Sequence, residues 1–165
     1  MGKKHYQKRH DKIKRNANAL KLLKALYKIL PLIVIITYPV MLIIKFFSGF
    51  DSDFLLMICV PAGTLLIVTA LRKLIDRERP YIKHNTEPLI PKKSTGESFP
   101  SRHTASAFII AMSAFLLSPI LACCLLIIAT IIAITRILAG VHYLTDVLAG
   151  MLISIGIGTV FFIII

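Results

Sequence analysis

The sequence TASAFIIAMSAFLLSPILACCLLIIATIIAIT, residues 104–135, contains no charged side chain over 32 positions. A single helix of that length would extend about 48 Å, whereas the hydrocarbon core of a bilayer is about 30 Å thick. Ser118-Pro119 interrupts the stretch near its middle. The sequence therefore predicts a hairpin of two membrane spans, about 101–118 and 119–138.

Three further apolar segments flank this hairpin. They cover about residues 31–47, 54–71 and 145–165, which makes about five spans in all. Hydrophobic residues form 56% of the 165-residue chain, and its mean hydropathy is +0.78. Such values are typical of membrane proteins rather than of soluble domains. The predicted fold is therefore all-α, a polytopic transmembrane helix bundle.

The N-terminal region is basic and supplies much of the net charge of +12. Residues 1–16 are predicted to be a polar tail that touches anionic lipid headgroups, and residues 17–30 a basic amphipathic helix in the membrane interface. Pro31 is expected to break or redirect that helix. The chain thus divides into an N-terminal region, 1–30, and a transmembrane domain, 31–165. Three lysines at helical spacing make a span unfavourable before Pro31: Lys21, Lys24 and Lys28.

Three polar clusters lie at the ends of the predicted spans. Because the hairpin returns the chain to the membrane face it left, all three are expected on one face. Taken singly, each has an ordinary explanation as a charged helix end, a helix cap or a pair at a span boundary. Together they exceed what anchoring a span requires. Their members are Arg72 with Arg79-Pro80, Pro100-Ser101-Arg102-His103, and Arg136 with His142 and Asp146.

These residue types suit the transfer of a phosphoryl group. Arginine presents a planar, permanently charged fork to phosphate oxygens. A helix N-terminus adds free N–H groups, and Ser101 is a natural N-cap for one. One imidazole can protonate a leaving oxygen near neutral pH. A second can attack phosphorus if a carboxylate holds the proton on its other nitrogen, and His142 and Asp146, four positions apart, would share a helix face.

Other kinds of site find no support in the sequence. No pair of carboxylates has metal-ligand spacing, so we expect neither a metal nor another cofactor. There is no P-loop and no nucleotide-binding fingerprint. The basic tail is assigned to lipid headgroups, not to nucleic acid.

In chain order, the three clusters resemble the motifs of the type 2 phosphatidic acid phosphatase family, whose membrane lipid phosphatases are related to vanadium haloperoxidases. The family motifs are K-x6-R-P, P-S-G-H and S-R-x5-H-x3-D. Here they read Arg72-x6-Arg79-Pro80, Pro100-Ser101-Arg102-His103 and Thr135-Arg136-x5-His142-x3-Asp146. This chain departs from the pattern with arginine for lysine at position 72, arginine for glycine at 102 and threonine for serine at 135.

The resemblance implies a phosphohistidine mechanism without a metal. His142 would attack phosphorus while Asp146 fixes its tautomer, and His103 would protonate the leaving oxygen and later activate water. The expected substrate is a lipid phosphate or diphosphate, for example undecaprenyl diphosphate, phosphatidate or phosphatidylglycerol phosphate. The residues expected to hold the phosphate are Arg72, Arg79, Ser101, Arg102 and Arg136.

Two alternatives belong to other functional classes. A catalytically silent membrane protein that binds anionic lipid would not need both histidines and the aspartate. Peroxidase chemistry with bound vanadate is disfavoured by a small, all-membrane chain. The protein is expected to be a multi-pass protein of the cell membrane. The positive-inside rule would put its tail in the cytoplasm, whereas the resemblance implies a site on the outer face, which is the location we expect.

Overall fold

The computed structural model describes residues 3–92 and 94–164 and contains helices but no strand within these ranges. The predicted all-α fold is thereby confirmed. The first two residues of the predicted tail and the last residue of the final predicted span lie outside the described ranges. The helices are α1 Lys3–Arg15, α2 Ala17–Ser48, α3 Ser52–Ile75, α4 Pro80–Lys83, α5 Arg102–Ser113, α6 Pro119–Leu138 and α7 Leu144–Thr159.

Four helical segments of the described chain are long and apolar enough to cross a membrane: Ala17–Ser48, Ser52–Lys83, Pro119–Leu138 and Leu144–Ile164. The last of these is α7 with a π-helical turn at its end. The predicted hairpin is present, because Ser118 caps α6 with its side chain and Pro119 is the first helical residue, where proline is favoured. The first arm of the hairpin, α5, has 12 residues before a short 3-10 turn, so it is shorter than the predicted span.

Helix α5 lies at the centre of the bundle and packs against α3, α6 and α7. Its approach to α7 is very close, since a Cβ added to Gly150 would lie 2.7 Å from the main-chain oxygen of Ser101. Two hydrogen bonds join the same helices, from Ser101 N to Asp146 O at 2.8 Å and from Ser154 Oγ to Ala105 O at 2.9 Å. The start of α5 is therefore fixed against the start of α7.

Helix α2 continues through Pro31, where the sequence predicted a break or a change of direction. Both Pro31 and Pro39 lie inside one continuous helix, so the interfacial helix predicted over 17–30 is the first part of α2. A proline inside a helix lacks the N–H that would bond the carbonyl four residues earlier. For Pro31 that carbonyl belongs to Tyr27, and it accepts from Arg136 Nη2 of α6 at 3.4 Å. Donors from neighbouring helices are what make such prolines tolerable in membranes.

Helix α3 shows the same arrangement. Pro61 lies inside it and leaves the carbonyl of Met57 without a helical N–H donor. The hydroxyl of Tyr38 in α2 donates to this carbonyl at 2.8 Å. In both cases, the carbonyl that a proline leaves free becomes a hydrogen-bonded contact between α2 and another helix.

The predicted polar tail is a helix, α1, that docks on the end of α6. Tyr6 is 3% exposed, and its hydroxyl donates to the carbonyl of Gly140 at 3.2 Å. Arg9 donates from Nη2 to the carbonyl of Ile137 at 3.0 Å. The sequence did not predict this docking, and the contact of the basic residues with lipid headgroups stays a prediction. The division of the chain at residue 30 into two regions stays a prediction.

We expect Tyr38→Phe to lower the stability of the protein in detergent, because it removes the donor that replaces the missing N–H of Pro61. Hydrogen bonds between membrane helices contribute about 0.6 kcal/mol on average. In a Pro61→Ala background the backbone supplies an N–H to Met57, so the same change should cost less. A double-mutant cycle of unfolding free energies measures the difference, and equal costs in the two backgrounds would contradict this account.

Candidate active site

The three polar clusters meet at one end of the bundle, as the hairpin predicts. Arg72, near the end of α3, donates from Nη1 to the carbonyl of Pro100 at 3.0 Å. Arg79 donates from Nη1 to the carbonyl of Val141 at 3.1 Å. These bonds join the first cluster to the second and third, and the bond between the starts of α5 and α7 joins the remaining two. The prediction of a common face is confirmed.

His142 lies in the turn before α7, with 4% of its surface exposed. Its Nδ1 is 2.8 Å from the carbonyl oxygen of Ser98. A carbonyl oxygen accepts hydrogen bonds and cannot donate them, so Nδ1 carries the ring proton. The other nitrogen, Nε2, therefore keeps its lone pair, which is the state a nucleophile needs.

Asp146 is less directly engaged with His142 than the sequence suggested. Its Oδ2 is 3.5 Å from Nδ1 of His142, farther than the Ser98 carbonyl. Helix α7 begins at Leu144, so the two residues do not share a helix face, and that geometric prediction is wrong. Asp146 instead occupies the third position of α7, where Oδ2 accepts from the N–H of Tyr143 at 2.9 Å.

Two residues that the sequence reasoning did not single out hold this carboxylate. Arg77 donates from Nη1 to Oδ1 of Asp146 at 2.8 Å, and Ser98 donates from Oγ to Oδ2. Asp146 is fully buried, and a buried carboxylate needs such partners to stay ionised. The Arg77 guanidinium also lies over the Tyr143 ring, 4.1 Å from its centroid. In sequence, Arg77 is part of a charged helix end, and nothing there shows that it returns to α7.

Arg72 and Arg136 each have a buried Nε without a hydrogen-bond partner among the described residues. An unpaired buried donor costs free energy. The carboxylate of Glu97 approaches Arg72, with its Oε2 3.7 Å from Nη2. Both arginines therefore retain donors for an acceptor that the described residues do not supply.

The guanidinium of Arg136 is held by α2. Its central carbon lies 3.6 Å from the centroid of the Tyr27 ring, a distance at which a cation and an aromatic face attract each other. The main-chain carbonyl of Tyr27, left free by Pro31, accepts from the same group. Arg136 is 1% exposed, so this stacking takes place inside the protein.

Arg79 is bonded to main-chain carbonyls on three sides. Besides the bond to Val141, Nε donates to Gly96 at 3.1 Å and Nη2 to Glu97 at 3.5 Å. A guanidinium has five N–H donors, so two remain. Arg79 thus ties the loop before α5 to the turn before α7 and still has donors to offer.

At the start of α5, Ser101 occupies the predicted N-cap position but makes no capping bond with its side chain. Its Oγ accepts from Oγ1 of Thr104 at 3.0 Å, so its own hydroxyl proton is not used in that bond. Arg102 and His103 follow in the first turn and are exposed. The first N–H groups of a helix have no partner within it, which makes this end suitable for an anion.

Lys92 is a further cation near the arginines, and the sequence analysis did not predict it as a site residue. It is half-buried in the loop between α4 and α5. Burial, followed by the positive charges of Arg79, Arg136, Arg72 and Arg102, lowers the pKa of Lys92. The four predicted arginines and this lysine are therefore close enough to repel one another, so the site as a whole favours an anion.

The chain is similar to known proteins in both sequence and fold. Residues 53–165 match the family model of the PAP2 superfamily. Undecaprenyl-diphosphatase BcrC of Bacillus subtilis (strain 168) is 34% identical over 98 residues, which are 59% of this chain and 50% of that protein. The match thus spans about half the length of this curated relative.

Two crystal structures have a similar fold. LpxE of Aquifex aeolicus has a TM-score of 0.68 and 28% identity, with 84% of each chain covered. A transmembrane PAP2 type phosphatidylglycerolphosphate phosphatase from Bacillus subtilis has a TM-score of 0.68 and 22% identity, with 93% of this chain and 83% of the other covered. At that identity the second likeness is evidence for the fold alone.

Burial lowers the pKa of His142 to about 4, although the hydrogen bond and charge of Asp146 act in the opposite direction. In ¹⁵N NMR spectra of the protein in detergent, we therefore expect this ring to stay neutral, with its proton on Nδ1, down to about pH 5. A spectrum of His142→Gln assigns the signals. Asp146→Asn should keep the same tautomer, because the Ser98 carbonyl remains. Imidazolium signals near pH 6.5, or a proton on Nε2, would contradict the geometry.

Proposed function

The chain belongs to the PAP2 superfamily, and on that basis we propose that it is an integral membrane phosphatase that hydrolyses a lipid phosphate or diphosphate through a phosphohistidine intermediate. The observation that carries the proposal is the state of His142. Its buried ring has Nδ1 bonded to the carbonyl of Ser98, which leaves the lone pair on Nε2 at a site rich in arginine. Its several apolar helices make the protein a multi-pass membrane protein.

His142 is the nucleophile in this proposal. Its Nε2 attacks phosphorus, a P–N bond forms, and the P–O bond to the leaving group breaks. The ring becomes positively charged because Nδ1 keeps its proton. The carboxylate of Asp146, 3.5 Å from Nδ1, stabilises this charge, as the aspartate of a hydrolase triad does for its histidine. Arg77 and Ser98 keep the carboxylate in place.

The phosphate oxygens are matched by donors around His142. The unpaired Nε groups of Arg72 and Arg136 and the hydroxyl of Ser101 are available for them. Arg102 contributes its positive charge, and the start of α5 contributes free backbone N–H groups. Arg79 contributes the two N–H donors that it does not use within the protein. Fixed donors of this kind stabilise a phosphoryl group during transfer, because the charge on its oxygens is met without reorganisation.

His103 is the proposed acid and base. It stands exposed in the first turn of α5 and borders one cavity together with Arg136. We propose that His103 donates the proton that the leaving oxygen needs. It then takes a proton from the water that attacks the phosphohistidine, which releases inorganic phosphate and restores His142.

A groove among the helices supports a lipid as the substrate. A cavity of about 320 Å³ begins at Arg102 and His103 and continues between α2, α3, α5 and α6. Its other walls are mainly apolar. A phosphorylated amphiphile fits this distribution, with its phosphate at the arginines and its chain along the groove. The apolar side chains that line it are Val34, Ile35, Leu65, Ile110 and Ile132.

We also propose that the site faces the outer side of the cell membrane, as the family resemblance implies. The contacts of Tyr6 and Arg9 with the end of α6 put α1 at the same end of the bundle as the site. An outward site therefore requires the basic α1 to lie outside too, at anionic headgroups. The positive-inside tendency alone would favour the reverse orientation.

We expect the purified protein to release phosphate from lipid phosphates in the presence of EDTA, and His142→Ala to lose activity by on the order of 10⁴-fold or more. With a ³²P-labelled substrate, quenching in alkaline SDS should trap a base-stable, acid-labile phosphoenzyme that is absent in His142→Ala. His103→Ala should lose less activity toward an aryl phosphate than toward a lipid phosphate, because the leaving oxygen of an aryl phosphate needs no proton. Activity that EDTA abolishes, or label that survives His142→Ala, would contradict the mechanism.

The orientation is measured by labelling intact cells with a membrane-impermeant maleimide. Lys83→Cys, an exposed position at the site end, should react, whereas Ser48→Cys, exposed at the opposite end of α2, should react after the cells are opened. The reverse pattern would place the site in the cytoplasm. Both variants are made in a background in which the natural cysteines are replaced by alanine: Cys59, Cys123 and Cys124.

A further inference from the structure

A second cavity, of about 420 Å³, lies against His103 and Arg136, and its opposite wall comes from the first part of α2. That wall carries Lys24, Tyr27 and Lys28. The family match begins at residue 53, so these three residues belong to a part of the chain that the family model does not cover. None of them is among the residues assigned above to hold the transferred phosphate.

The two lysines are suited to bind an anion inside this cavity. Lys24 and Lys28 are four positions apart on one helix, so they face the same way. Neither has a carboxylate partner among the ion pairs of the described residues. Across the cavity, Arg136 is almost fully buried and has an Nε without a partner in the described chain. Three cations thus border one cavity without a matching negative charge.

The position of His103 relates this cavity to the reaction. His103 and Pro31 border both the cationic cavity and the apolar groove, so the two spaces adjoin at these residues. If His103 gives its proton to the leaving oxygen, the leaving group lies on this side of the site. A leaving alcohol is uncharged and would give the lysines nothing to neutralise. A leaving phosphomonoester carries up to two negative charges, which the lysines would match.

We propose that Lys24 and Lys28 form a second phosphate subsite, which binds the phosphate that remains on the lipid when a lipid diphosphate is cleaved. The inference rests on the proposed function. His142 attacks the terminal phosphorus, the bond from that phosphorus to the bridging oxygen breaks, and the bridging oxygen takes its proton from His103. The product in the subsite is a lipid monophosphate, whose chain continues along the groove past Pro31. The preferred substrate class is therefore a lipid diphosphate.

The test compares farnesyl diphosphate with farnesyl phosphate in a neutral detergent that contains no anionic lipid. In the double variant Lys24→Gln/Lys28→Gln, kcat/KM for the diphosphate should fall by about 30-fold, as expected for lost bonds to a charged group. For the monophosphate it should fall by less than about threefold. Lys21→Gln is the matched control, since it removes the same charge one turn earlier on the same exposed face of α2, outside the cavity.

A binding measurement gives a second readout that does not depend on turnover. Inorganic diphosphate and orthophosphate are used as competitive inhibitors of the same reaction. The inhibition constant for inorganic diphosphate should rise in the double variant by about tenfold, and that for orthophosphate should change little. Because both lysines are exposed, the thermal unfolding of the variants should match that of the wild type.

The outcomes separate this subsite from the proposed function. Equal losses with both substrates, or a loss in Lys21→Gln as large as in the double variant, would show that α2 attracts anions in general, and the subsite would be refuted. A wild-type protein that hydrolyses the monophosphate but not the diphosphate would also refute it while the phosphatase function stands. A wild-type protein inactive on both and on other lipid phosphates would refute the function itself.

Discussion

The site depends on the close approach of two helix N-termini. The start of α5 brings Ser101, Arg102 and His103, and the start of α7 brings Asp146 with His142 immediately before the helix. A Cβ at Gly150 would collide with the main chain of α5, so this packing requires a residue without a side chain there. Two helix N-termini at one place also direct their free N–H groups and positive dipole ends toward the same space. The backbone alone therefore favours an anion, before any side chain contributes.

Charge is balanced on one side of His142 and unbalanced on the other. Asp146 is satisfied by Arg77, Ser98 and a backbone N–H, so it can stay ionised although it is buried. The ion pair that Arg72 makes with Glu97 is long, 3.7 Å, and no ion pair of the described residues involves Arg79 or Arg136. A group of cations that lacks counter-charges costs free energy when empty and regains it when an anion binds. Under the proposed function, this asymmetry would let one pocket hold a neutral imidazole beside a dianionic phosphate.

How far the sequence predicted the structure depended on whether a feature was local. The hairpin was predicted because an uncharged stretch, longer as a helix than a bilayer is thick, is interrupted at Ser118-Pro119. The prediction that the three motifs meet at one face followed directly from the hairpin. Pro31 was misread because the donor that replaces its missing N–H, Arg136, lies more than 100 positions later. Arg77 was missed for a similar reason. The prediction that His142 and Asp146 share a helix face was wrong because α7 begins at Leu144, which leaves His142 in the preceding turn. A difference of two residues in a helix boundary is enough to change this relation.

The part of the chain outside the family match completes the site. Arg136 belongs to the third motif and to α6, yet its guanidinium is positioned by Tyr27 of α2, through the ring and through a carbonyl. That carbonyl is free because residue 31 is a proline, so the interruption in the hydrogen bonding of α2 is what lets this helix bind the arginine. A departure from ideal helix geometry is expected where function requires it. Under the proposed function, the motifs supply the groups that react, while α2 holds Arg136 in position and would lie beside the leaving group.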